Sequence, residues 1–216
     1  EIADLGELYN SEIRIKKLIS KQLGEIAKKY AQPRKTELIY EEHIEEITQE
    51  HLIEDYNLKL FLTEHNYLKK IPLVSLRANP EHKLKDEDRI IQEIDTHNKA
   101  DLLLFSSRNA VYKMRIYEIN DSKASTLGEY LNNMLQLEPD ETILYMVATD
   151  EYKGYMLFAF ENGKVAKIDL NSYATKTNRK KLINAYSDRS PLVRILFTNE
   201  DLELAVYSNK KKVLIF

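Results

Sequence analysis

Leu102-Leu103-Leu104-Phe105-Ser106-Ser107-Arg108-Asn109-Ala110-Val111-Tyr112-Lys113-Met114-Arg115-Ile116 is the stretch on which the fold turns. Two short apolar runs, Leu102–Ser106 and Val111–Ile116, flank a polar segment ending in Asn109. Runs of this length, rich in β-branched and aromatic residues, read as strands. Asn between them suits a turn that needs positive φ.

The same arrangement recurs outward from this stretch. Further apolar runs lie at Leu58–Thr63, Tyr67–Ile71, Arg89–Ile94, Ile143–Ala148, Tyr155–Phe160, Val165–Ile168, Leu192–Phe197, Leu204–Tyr207 and Val213–Phe216. Asn66, Asn162-Gly163 and Asn209 sit between paired runs as Asn109 does. The turns recur roughly 40–55 residues apart, a period typical of blades. In three units a lysine stands two residues after the apolar residue that follows the turn: Leu68 then Lys70, Val111 then Lys113, Val165 then Lys167. The fourth, Val213 then Ile215, departs from this rule, and Lys210, Lys211 and Lys212 precede it. Meandering units of this size point to a mainly β, propeller-like architecture.

Before the strands the period changes. Ile15, Leu18, Ile19, Leu23, Ile26 and Tyr30 share one face of a helix, with Asn10 or Ser11 placed to cap it and Pro33 to end it. A shorter helix is expected over Ile2 to Tyr9. The stripe is expected to pack on an antiparallel partner or on Ile2, Leu5 and Leu8. Residues 38–54 are acidic and read as a linker, with a strand at Leu38–Tyr40 or a helical turn in Glu41–Ile47. The expected organisation is a helical segment over 1–37, a linker over 38–56 and the β domain over 57–216.

The chain has 216 residues, 43% hydrophobic and 31% charged, with formal net charge -3. That charge gives nucleic-acid binding no support, so any such claim rests on local placement of cations. With no cysteine, disulfides and thiolate metal sites are excluded. No run reaches the roughly 20 apolar residues that span a bilayer. Glu1-Ile2-Ala3-Asp4 lacks a basic n-region and an initiator Met, so it is expected to be a cut edge rather than a signal peptide. The five histidines, His43, His51, His65, His82 and His97, show no metal-ligand spacing and read as surface residues. Acidic runs such as Glu41-Glu42, Glu45-Glu46 and Asp86-Glu87-Asp88 read as solvated charge. A Gly-rich phosphate loop is lacking.

Several segments resemble one family in order and spacing. Arg34-Lys35-Thr36-Glu37-Leu38 is similar to the Arg-Arg-Thr-Glu-Ile that follows the coiled-coil helix of bacterial type IIA DNA topoisomerase A subunits, those of DNA gyrase and topoisomerase IV. Leu60-Phe61-Leu62-Thr63 through Tyr67-Leu68-Lys69-Lys70-Ile71-Pro72-Leu73 resembles the first blade of their C-terminal β-pinwheel. Phe105 to Met114 resembles the second blade's F-S-S-R-G-R-V-Y-x-M. Asn133-Met134-Leu135-Gln136-Leu137-Glu138-Pro139-Asp140-Glu141-Thr142-Ile143 resembles the opening of the third. The resemblance runs from the helix to Phe216.

It implies the end of a coiled coil followed by an incomplete β-pinwheel of about three to four blades. The implied function is sequence-nonspecific binding and wrapping of duplex DNA. The parent protein would change DNA topology by ATP-dependent double-strand passage in the cytoplasm, in an A2B2 holoenzyme whose B subunit binds ATP and Mg. The family's catalytic tyrosine lies upstream, none of the 14 tyrosines here lies in a matching motif, and the fragment is expected to be inactive alone and to need no cofactor.

Two departures from the family stand out. Asn66 and Asn109 replace its turn glycines. The basic, glycine-rich gyrase box is absent where the chain reads Val74-Ser75-Leu76-Arg77-Ala78-Asn79-Pro80-Glu81-His82-Lys83.

The resemblance makes Lys69, Lys70, Arg77, Arg108, Lys113, Arg115, Lys164 and Lys167 candidate phosphate contacts, with Lys176, Arg179, Lys180 and Lys181 from the dense cluster Thr175–Lys181. That cluster also reads as an exposed loop, or as a helix start capped by Thr177 or Asn178 and running through Ala185. The alternative function is a propeller-like protein-interaction module without DNA binding. An exposed edge at Val213–Phe216 makes a homodimer an expectation as well.

Overall fold

The computed structural model describes residues 2–32, 35–36, 52–78, 81–175, 180–200, 202–207 and 212–215. The chain divides into two units, Glu1–Ile47 and Thr48–Phe216. The expectations for Pro33, Leu38–Tyr40, Glu41–Ile47, His43, His51, Thr177, Asn178 and Asn209 lie outside the described residues.

The first unit holds α1 (Ile2–Tyr9) and α2 (Glu12–Tyr30). Ser11 takes the extended N-cap conformation, but its side chain accepts no capping hydrogen bond. Ion pairs Glu7–Arg14 (2.6 Å) and Glu12–Lys16 (2.8 Å) decorate the junction. The apolar stripe forms, and against α1 it is covered only in part, with Leu8 and Ile15 half-buried. Neither helix has a buried residue, and Ile2, Leu5, Ile19, Leu23, Ile26 and Tyr30 all stay exposed.

The second unit is built from one repeated device. A hairpin is followed by a connector, and a third strand returns to pair with the hairpin's first strand. In the first repeat β1 (Asn57–Thr63) and β2 (Tyr67–Pro72) form the hairpin, α3 (Leu73–Ala78) lies in the connector, and β3 (Ile90–His97) returns. The second uses β4 (Asp101–Ser106) and β5 (Val111–Arg115). Its connector carries β6 (Glu129–Tyr130) and α4 (Leu131–Leu135), and β7 (Ile143–Thr149) returns. The third uses β8 (Tyr155–Phe160) and β9 (Val165–Asp169), a connector with β10 (Lys181–Leu182), and β11 (Leu192–Thr198). A last hairpin joins β12 (Ala205–Tyr207) and β13 (Val213–Ile215).

Connectors tie each repeat to the one before it. β6 pairs with β2, and β10 pairs with β5. The sheets therefore read β3-β1-β2-β6 and β10-β5-β4-β7. Just past each lent strand the backbone latches onto the earlier turn. Leu131 N–H donates to the Asn66 carbonyl (2.9 Å), and Ala185 N–H donates to the Asn109 carbonyl (2.8 Å). Lys181–Leu182 is a strand paired with Val111 and Tyr112, not part of the alternative helix through Ala185.

Apolar faces explain why the repeats stack. All six residues of β4 are buried. Leu102 and Leu104 join Leu58, Leu60, Leu62 and Leu68 of the first repeat in one core. Leu103 and Phe105 point the other way, into a second core with Met156, Phe158, Tyr173 and Tyr186 of the third. Phe105 meets the Tyr173 ring edge-on at 5.3 Å, and Phe158 stacks on Tyr186 at 4.9 Å.

Each returning strand carries a β-bulge at the same place. The unpaired residues are Ile91, Leu144 and Val193, and all three are apolar and exposed.

The turns take the conformation that the sequence demanded. Asn66, Asn109 and Gly163 have φ of 63°, 56° and 78°. Asn66 adds something glycine cannot. Its buried amide donates to Asn132 Oδ1 (2.7 Å) and the Glu141 carbonyl (3.1 Å), and its Oδ1 accepts from Ile143 N–H (2.8 Å). The first turn is thereby fastened to the second repeat's connector. Asn66→Gly, which keeps the turn but removes this joint, is expected to cost about 1–3 kcal/mol in urea denaturation. Asn66→Ala, which also forces an L side chain into the left-handed region, is expected to cost more.

Candidate nucleic-acid interface

The lysine that recurs in each second strand occupies one register position. Lys70 pairs with Leu60, Lys113 with Leu103 and Lys167 with Leu157. Each ammonium lies over a tyrosine ring: Lys70 over Tyr56 (5.4 Å), Lys113 over Tyr152 (4.8 Å) and Lys167 over Tyr155 (4.2 Å). In the first two repeats an aspartate completes the set. Lys70 Nζ is 3.0 Å from Asp121 Oδ1, which also accepts from Tyr56 O–H at 2.6 Å. Lys113 Nζ is 3.5 Å from Asp101 Oδ2, which accepts from Tyr152 O–H at 2.7 Å. Burial, then the aspartate, pushes both phenols well above the usual tyrosine range.

This corrects the sequence expectation for several candidates. Lys70 is 3% exposed and also donates to the Ile119 carbonyl (3.0 Å). Lys69 is fully buried, and its ammonium donates to the carbonyls of Lys83 (2.6 Å) and Ala124 (3.0 Å). Burial lowers the Lys69 pKa. Gly128 makes room for it, since a Cβ there would meet Lys69 Cγ at 2.8 Å and the Leu68 carbonyl oxygen at 2.5 Å. Both ammonium groups are taken up by protein acceptors rather than open to solvent. Lys113 and Arg115 are half-buried around Asp101, with Arg115 Nε 3.2 Å from Asp101 Oδ1.

The remaining candidates are exposed. Arg77 lies at the end of α3. Arg108, in the β4–β5 turn, donates to the Pro139 carbonyl (3.2 Å). Lys180 pairs with Glu118 (3.3 Å), and Lys181 lies over the Tyr112 ring at 5.0 Å. Its hydrogen bond with Tyr112 raises the Lys181 pKa. Lys164 is exposed beside the β8–β9 turn, and Lys167 is exposed on β9. Lys176 and Arg179 lie outside the described residues. The sequence reading passed over Arg189 and Arg194, two exposed cations flanking the start of β11. Their signal was weak, because each stands alone rather than in a basic run.

His97 also departs from its expected role as a plain surface residue. It ends β3 and lies between two carboxylates, with Nδ1 2.9 Å from Asp55 Oδ1 and Nε2 2.9 Å from Asp150 Oδ1. A carboxylate only accepts, so both contacts together require both ring nitrogens to donate, as in imidazolium. The hydrogen bond to Asp150, opposed by burial and aided by Asp55, raises the His97 pKa. Asp55 is lowered by its hydrogen bonds to His97 and to Lys99 N–H, against desolvation. Among the described residues no group of three His, Asp or Glu side chains is arranged to hold a metal ion, and no helix is long and apolar enough to cross a membrane.

Two tests follow from this geometry. Lys69→Met leaves the Lys83 carbonyl without this donor and the Ala124 carbonyl with only the Lys83 N–H; the expected cost is roughly 1–3 kcal/mol by urea denaturation, with no change in duplex affinity. For His97, a raised folded pKa means that its stabilisation is present below the ordinary imidazole pKa and fades as pH rises through the folded value. The stability difference between the unaltered protein and His97→Gln is expected to be largest near pH 6 and to shrink toward pH 9.

No family model matches the chain. It is 26% identical over 189 residues to the A subunit of DNA topoisomerase 4 from Bacillus subtilis, covering 85% of this chain and 23% of that protein. It is 26% identical over 213 residues to the A subunit of DNA gyrase from Staphylococcus epidermidis, covering 93% of this chain and 24% of that one. The chain thus spans about a quarter of the length of these relatives. Among solved structures it matches the C-terminal domain of DNA topoisomerase IV with a TM-score of 0.64 and 24% identity, over 76% of this chain and 52% of that one. It matches the E. coli ParC C-terminal domain with a TM-score of 0.60 and 15% identity, over 74% and 64%. By sequence the chain is similar over most of its length to the A subunits of bacterial DNA gyrase and topoisomerase IV, and by fold it is a β-pinwheel like the C-terminal domains of topoisomerase IV and ParC.

Proposed function

We propose that this chain is the pinwheel portion of the larger DNA-cleaving polypeptide of a type IIA topoisomerase and that it holds duplex DNA without reading its sequence. The observation that carries the reading is similarity to such polypeptides across 85% and 93% of the chain, joined to a matching fold. Its physical means are the exposed cations Arg77, Arg108, Lys164, Lys167, Lys180, Lys181, Arg189 and Arg194. Lys and Arg that neutralise phosphates release counterions, which gives affinity that falls steeply with salt and carries no base information. In the whole enzyme the A subunit would join a B subunit that hydrolyses ATP, in the cytoplasm, and strand passage would belong to that assembly. The pinwheel would present or wrap a duplex and perform no chemistry itself.

A second reading, a protein-interaction module, is favoured by one observation. The outer strand of the first repeat is acidic, with Glu93 and Asp95 exposed, and Asp150 and Glu151 are exposed beyond the end of β7. The two readings separate in a fluorescence-anisotropy titration with a roughly 40-base-pair duplex of arbitrary sequence. The DNA reading expects micromolar binding at low salt and a linear fall of log K with log salt, about 0.9 per phosphate neutralised. Absence of binding at low salt would favour the protein-interaction module.

A further inference from the structure

The three repeats place their hairpin turns against the start of the returning strand through the same backbone bond. Glu64 N–H donates to the Arg89 carbonyl, Ser107 N–H to the Thr142 carbonyl and Glu161 N–H to the Pro191 carbonyl. What the side chains do around that bond differs. In the first repeat Arg89 forms a two-pronged pair with Glu64 (2.8 and 3.1 Å). In the second, Arg108 reaches the Pro139 carbonyl, and Ser107 Oγ accepts from Thr142 N–H (3.1 Å).

In the third repeat a cavity of about 190 Å³ opens at this place, lined by Asn162, Lys164, Ser187, Arg189 and Ser190 over Phe160. Lys164 and Arg189 are exposed, and among the described residues neither side chain forms a hydrogen bond or ion pair. The neighbouring Glu161 and Asp188 are exposed and pair with neither cation. Ser190 Oγ accepts from Asn162 N–H (3.2 Å), and Ser187 Oγ accepts from Arg189 N–H (3.4 Å). Each hydroxyl therefore keeps its own hydrogen to donate. Asn162 Oδ1 accepts from Lys164 N–H (3.0 Å), which fixes the turn beside the cavity.

Two cations without counter-charges and two hydroxyl donors around one concavity form a receptor for a tetrahedral oxyanion. We propose that this cavity is a phosphate-binding pocket, with Lys164 and Arg189 supplying charge and Ser187 and Ser190 supplying directed donors. Arg can bridge two phosphate oxygens at once, and Lys adds a mobile point charge. The shared chemistry is a phosphate group, either a phosphodiester of bound duplex or free inorganic phosphate. The first source rests on the DNA reading above.

The test uses the full chain and the Lys164→Ala/Arg189→Ala double variant, with Arg89→Ala as the control for a cation already paired. Both changes of the double variant are at exposed positions, and its fold is checked by amide NMR dispersion. Inorganic phosphate is titrated first. The proposal expects saturable shifts of the Asn162–Lys164 and Ser187–Ser190 amides, lost in the double variant and kept in Arg89→Ala. Duplex is titrated next across salt. The proposal expects the double variant to weaken binding severalfold at low salt and to reduce the salt slope by about 1–2, with the control unchanged. Phosphate binding with no duplex binding would keep the pocket as a free-anion site and overturn the DNA reading. Duplex binding unaltered in the double variant, with no localised phosphate shifts, would overturn the pocket and leave the DNA reading standing.

Discussion

A strand with apolar residues on both faces cannot be satisfied within its own sheet, and the architecture follows from that constraint. β4 sends Leu102 and Leu104 to one side and Leu103 and Phe105 to the other. Burying both sets removes several large side chains from water, each contributing about 1.5–3 kcal/mol. The second repeat is therefore sandwiched between the first and the third. The lent strands β6 and β10 and the latches onto Asn66 and Asn109 then fix how neighbours meet, by satisfying backbone groups that an open edge would leave unpaired.

The same constraint decides which charges remain for function. At the repeated register position, the first two repeats bring a lysine into the seam between repeats, where it needs a ring and a carboxylate. Lys70 and Lys113 obtain both, from Tyr56 with Asp121 and from Tyr152 with Asp101. An outward-facing cation at a turn or on a returning strand meets no such demand. The candidate interface consequently lies on the turns, the connectors, the returning strand β11 and the exposed Lys167 of β9 rather than on Lys70 and Lys113.

Much of this was legible in the sequence. The short apolar runs mark eleven of the strands, because length and composition identify a strand without reference to its partners. Asn66 and Asn109 announced left-handed turns, and both turns have positive φ. β6 and β10 were missed because Glu129–Tyr130 and Lys181–Leu182 are two residues each, and only pairing with a distant strand makes them strands. The periodic lysine marks the repeat, but two of its three occurrences, Lys70 and Lys113, are turned into protein contacts. Sequence spacing records that a position recurs, and it does not say whether the position faces solvent or Asp121. Lys69 escaped for a related reason, since its carbonyl partners at Lys83 and Ala124 lie far along the chain. The bridge at His97 joins residues 42 and 53 positions away, beyond any local pattern.

Lysine-reactivity mapping, with amine acetylation read by mass spectrometry in the absence and presence of duplex DNA at low salt, tests the central claim most directly. The account predicts that Lys69 and Lys70 are nearly unreactive in both states, whereas Lys164, Lys180 and Lys181 react readily alone and are protected by duplex. Surface-like labelling of Lys69 and Lys70, or full reactivity of Lys164, Lys180 and Lys181 with duplex present, would contradict it.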